Sequence, residues 1–106
     1  MTTSQIACGA ILAHRFRVWR KIASGPNTEI WAGENTALHM PVALMLLRPH
    51  ALASPEAVAR FTDDAVARAA ARVGPMRVLD LLLAGRHGPV LILELGPEGW
   101  LTKLVA

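Results

Sequence analysis

Apolar and polar positions along the 106-residue chain form short blocks separated by Gly/Pro-containing turn signals. Residues 1–12 carry no period and read as a flexible arm ahead of one folded unit at 13–106. Over residues 15–23, Phe16, Val18 and Arg20 alternate with Arg17, Trp19 and Lys21, the period-two pattern of a strand. Ser24-Gly25-Pro26-Asn27 is a turn signal, Glu29-Ile30-Trp31-Ala32 resumes an extended pattern, and Gly33-Glu34-Asn35-Thr36 breaks it. Pro41 opens a seven-residue apolar run to Leu47, a length that suits a buried strand. These three segments predict an antiparallel meander.

Ser54-Pro55-Glu56 is a helix start: serine caps, proline suits the first helical position, and glutamate suits the positive end of the dipole. A helical period runs to about residue 72, with Val58, Phe61, Ala65 and Ala69 on one stripe, and Gly74-Pro75 ends it. Two apolar strands follow at 76–84 and 89–95, separated by the hairpin signal Gly85-Arg86-His87-Gly88. Gly96-Pro97-Glu98-Gly99 then opens a helical stub over 100–105. The prediction is an α+β fold: a five-stranded antiparallel sheet, one long helix packed on it, and a C-terminal helical stub.

Composition narrows the function classes. The chain is 53% hydrophobic and 18% charged, with mean hydropathy +0.36. That is apolar for a lone soluble domain and suggests surface covered by a partner. The formal net charge is +3, but only Arg15, Arg17 and Arg20 cluster and acids interrupt the rest, so no nucleic acid is expected. The single cysteine, Cys8, rules out an intramolecular disulfide and fits a reducing compartment. The first twelve residues lack the positive start of a secretory signal, so none is expected, and the longest uncharged apolar stretch, 36–47, is too short to cross a bilayer. The expectation is a cytoplasmic protein that does not insert into a membrane. His14, His39, His50 and His87 share no metal-ligand spacing, and no metal site is expected.

Local motifs go further than element order. The run FRVWRKIASGPNTEIWAGENTALHMPVALMLL is similar to the opening of bacterial Ser/Thr protein kinases. Glu29-Ile30-Trp31 matches the second strand of that lobe, Asn35-Thr36-Ala37-Leu38 the following turn, and Val42-Ala43-Leu44-Met45 the Val-Ala-x-Lys strand. SPEAVARFTDDAVARAAARV resembles the regulatory helix, and VLDLLLAGRHGPVLILELGPEGWLTKLV the last two strands and the hinge. The resemblance covers roughly residues 12–106. It implies a kinase amino-lobe-like fold, a nucleotide cleft lined by Gly25, Ala43, Met45 and Leu93, and a hinge at Glu94 and Leu95. The pattern also resembles the pseudokinase segment attached to the lipid-linked peptidoglycan precursor flippase of actinobacteria, through a replaced third-strand lysine and an aromatic–Ala step before a Thr-Ala-Leu turn.

Against that pattern, the residues that carry phosphoryl transfer are missing. Kinases hold the nucleotide phosphates with a third-strand lysine and hold that lysine with a helix glutamate. Met45 stands at the lysine position and can neither carry charge nor donate a hydrogen bond. Asp64 stands at the glutamate position, where the local reading is an exposed pair with Arg68. Of the three loop glycines only Gly25 remains, and Pro26 removes a backbone donor from a loop that presents N–H groups to phosphate. Lys21 precedes the inward Ile22 and points outward, so it does not replace the missing lysine. No catalytic loop or metal-binding segment occurs within the 106 residues. The resemblance thus implies a pseudokinase-type regulatory or protein-interaction module with no cofactor and no phosphotransfer. Its open face would carry Trp100, Leu101 and Leu104 and meet a protein partner or a second copy. The alternative is a nucleotide-binding domain that keeps a weak ATP site at the hinge, Ala43 and Gly25 without chemistry, or a fragment of a longer kinase-like protein tied to cell-wall regulation.

Overall fold

The computed structural model of the chain describes residues 8–71, 78–83 and 88–94. Their elements run β1 (Ile11–Leu12), β2 (Phe16–Ser24), β3 (Thr28–Asn35), β4 (Met40–Leu47), α1 (Pro49–Leu52), α2 (Pro55–Ala71), β5 (Val78–Leu82) and β6 (Val90–Glu94). All strand pairs are antiparallel, in the order β1-β2-β3-β4-β6-β5. The α+β plan and the meander stand. The sheet has six strands, not five, because Ile11–Leu12 pairs with Phe16 and Arg17. Part of the expected arm at 1–12 is therefore a strand, with Leu12 buried. The expected stub at 100–105 lies outside the described residues.

The β1–β2 connection is closed by the Arg15 N–H donating to the Leu12 carbonyl at 3.0 Å. Both central residues, Ala13 and His14, have positive φ (51° and 59°). That left-handed pair gives a hairpin turn whose twist matches its strands, in a place where Asn-Gly is the usual sequence. At the β3–β4 turn, Asn35 Oδ1 accepts from the N–H groups of Ala37 (3.0 Å) and Leu38 (3.2 Å). The α2 start is capped as expected: Ser54 Oγ accepts from the Ala57 N–H at 3.3 Å.

Gly33 does not end its strand, contrary to the sequence pattern; β3 continues to Asn35. Glycine is required there because a Cβ would meet the backbone carbonyl oxygen of Arg17 and, at 2.8 Å, Leu44 Cδ1. A register shift between Val18 and Arg20 also breaks the alternation expected for β2. It sets Val18 opposite Gly33 and Lys21 opposite Trp31, so Lys21, not Arg20, shares the face of Val18.

The sheet buries both faces. One carries Leu12, Phe16, Val18, Trp31, Val42, Leu44, Leu46, Val90 and Ile92. Ala10, next to β1, and Leu82 of β5 pack on this same cluster, although β1 and β5 are the two ends of the strand order. The sheet is therefore curled around it, and Arg15 Nη2 donates to Asp80 Oδ2 at 2.9 Å across the gap between those ends. The other face carries Ile30, Ala43, Met45, Leu47, Leu91 and Leu93, covered by Ala51 of α1 and Phe61 and Ala65 of α2.

Candidate functional site

Alternation along β4 settles which side chains share a face. Ala43, Met45 and Leu47 belong to the helix-covered cluster, and Val42, Leu44 and Leu46 to the curled interior, as the sequence predicts. The register then brings the expected cleft residues together. Ala43 lies between Ala32 of β3 and Leu93 of β6, and Met45 between Ile30 and Leu91.

These residues form part of a core. Ile30, Ala43 and Leu93 have no exposure, and Met45 retains 5%. Phe61 and Ala65 of α2 and Ala51 of α1 belong to the same cluster, with Ile22, Val58 and Leu81 packed at its margin. Met45 thus packs among apolar side chains. Glu94 ends β6 exposed, opposite Val42. Leu95, Trp100, Leu101 and Leu104 lie outside the described residues. Asp64 is exposed on α2.

Gly25 lies in the β2–β3 turn, its N–H donating to the Thr28 carbonyl at 2.8 Å. Its carbonyl accepts from Arg48 Nη1 at 3.2 Å. Pro26 supplies no N–H. Thus one amide of the turn is used internally and another is missing. Lys21 faces away from Met45: its Nζ is 6.0 Å from the Trp31 ring centroid and 3.8 Å from Glu29 Oε2, while Ile22 packs on the Met45 side.

Sequence reasoning missed Glu29 as a buried carboxylate. It is 1% exposed, and Trp31 Nε1 donates to its Oε1 at 3.1 Å. A buried carboxylate is costly unless bonded, and the indole and ammonium supply that compensation. The one available signal was the i, i+2 spacing of Glu29 and Trp31 on a strand, which puts both on one face. Among the described residues no group of three His, Cys, Asp or Glu side chains could hold a metal ion, and no helix is long and apolar enough to cross a membrane.

No family model matches the chain. It is similar to the serine/threonine-protein kinase PknL of Mycobacterium tuberculosis and of Mycobacterium bovis, 32% identical over 98 residues in each case. Those residues are 91% of this chain and 24% of the relative, so the chain spans about a quarter of the curated relatives it matches. The likeness, with a curled antiparallel sheet and its packed helix, supports a kinase-like amino-terminal fragment.

Proposed function

We propose that the chain is a non-catalytic, pseudokinase-type module that acts through protein contacts, in the cytoplasm. One observation carries this reading: Met45, which the kinase resemblance sets at the position of the phosphate-holding lysine, is buried in a cluster with Leu91, Leu93, Phe61 and Ala65. Phosphoryl transfer depends on positioned charge, and Met45 carries none. Apolar side chains left on the surface offer a partner contact, among them Leu38 and Met40 around the β3–β4 turn and Leu79 and Leu83 at β5.

Size-exclusion chromatography with light scattering over a concentration series, followed by pull-down with the purified chain, tests the reading. Concentration-dependent dimerisation, or a saturable complex with a captured protein, is expected. A monomer at the highest concentration that captures nothing would overturn it.

The name of the mycobacterial relatives favours a second reading, in which the chain is a piece of a longer kinase-like protein and keeps a weak nucleotide site. That reading requires Ala43 and Leu93 to be uncovered when nucleotide enters. A saturable thermal shift with ATP would favour it; no shift at millimolar ATP would reject it.

A further inference from the structure

Three contacts join the segment directly after β4 to the β2–β3 turn. The Arg48 N–H donates to the Asn27 carbonyl at 2.8 Å. Arg48 Nη1 donates to the Gly25 carbonyl at 3.2 Å. His50 Nε2 lies 3.2 Å from Asn27 Oδ1. The first extends the β3–β4 ladder one step beyond the Thr28–Leu47 pair. The other two use side chains and add a grip that ladder geometry does not require.

The turn has a reason to need that grip. Two-residue hairpins favour turns with positive φ, whose twist matches the strands. Pro26 fixes its own φ near −65°, and Asn27 is not among the residues with positive φ. The turn therefore has the hand that splays its strands, and Arg48 holds the Gly25 carbonyl from outside. Arg48 is half-buried, which strengthens a charged donor's bond to a carbonyl relative to one made in open water.

We propose that Arg48 is a latch on the β2–β3 turn, with His50 as its second contact, and that the turn moves only when Arg48 lets go of Gly25. While the latch is closed, the Gly25 carbonyl and N–H are both engaged, so any ligand or partner that reaches for this turn competes with Arg48. The inference concerns the mobility of the turn and stands whether or not the chain binds nucleotide.

Amide hydrogen exchange by NMR on the whole chain tests it, comparing wild type with Arg48→Ala. A charged hydrogen bond of ordinary strength predicts about tenfold faster exchange at the Gly25 amide, with Leu44 and Ile92 amides of the β4–β6 ladder unchanged. Acceleration of less than about twofold at Gly25, or equal acceleration at Leu44 and Ile92, would overturn the proposal. Should Arg48→Ala not fold, Arg48→Met keeps the apolar stem and removes only the donor to the Gly25 carbonyl. It is expected to raise Gly25 exchange by a similar factor of about ten, and no change there would overturn the latch equally.

Discussion

Replacing Met45 by lysine, the residue that the kinase resemblance implies for this position, asks whether the site is a cleft or a core. In an open cleft the ammonium would reach water and the substitution would cost little. Here Met45 is 5% exposed and packs among Ile30, Leu91, Leu93, Phe61 and Ala65. A buried, unpaired lysine has its pKa pulled down by about 3–5 units from about 10.4. At pH 7 the shift that counts is limited to about 3.4 units, or about 4–5 kcal/mol. Partial snorkelling of the four-carbon stem lowers this to about 3 kcal/mol. For a domain of this size each kcal/mol moves Tm by about 4–8 °C, so Met45→Lys should melt at least about 12 °C below wild type. Met45→Leu, which keeps the core apolar, should cost less than about 1.5 kcal/mol. The sign of the pH dependence is fixed: with a folded-state pKa below the unfolded one, the unfolded chain binds more protons between the two values. The deficit of Met45→Lys should therefore shrink as pH rises from 7 towards 10. Circular dichroism melts of the three proteins at pH 7, 8.5 and 10 provide the readout. A lysine variant melting within about 2 °C of wild type at pH 7 would refute the reasoning and mean that the position opens to solvent.

Gly33→Ala should cost about 3 kcal/mol in urea unfolding, because the new Cβ collides with the Arg17 carbonyl and Leu44 Cδ1 and the backbone oxygen cannot rotate away; a loss below about 1 kcal/mol would mean that the β2 bulge relaxes easily. The double variant A13N/H14G should gain about 1–2 kcal/mol, since it places residues that tolerate left-handed backbone where Ala13 and His14 now bear it. A melting temperature raised by about 5 °C or more checks it, and an unchanged one would show that the turn is not strained.

The sequence announced those elements that have local chemistry to announce them. Ser54 and Pro55 mark the start of α2, Gly25-Pro26-Asn27 marks a turn, and alternation along β4 sorts Ala43 and Met45 from Val42 and Leu44. β1 was hidden because its turn uses Ala13-His14, which carries no turn signal, and because two residues are too few to show a period. Gly33 misled because glycine reads as a breaker, whereas here it answers a close approach made by residues far along the chain. The bulge in β2 came from pairing, not from composition, and moved Lys21 onto the face of Trp31. The candidate site was legible as a set of residues on one face. Its closure was not, because it depends on Ala51 from the single-turn α1 and on Phe61 from α2 meeting Met45 across the sheet.

Titrating the isotopically labelled chain with magnesium and ATP while following Ala43 and Leu93 by NMR tests the central claim most directly. A core sealed around Met45 predicts no saturable shift at either residue up to millimolar nucleotide. Saturable shifts at both, with phosphate transferred to a protein substrate, would contradict it.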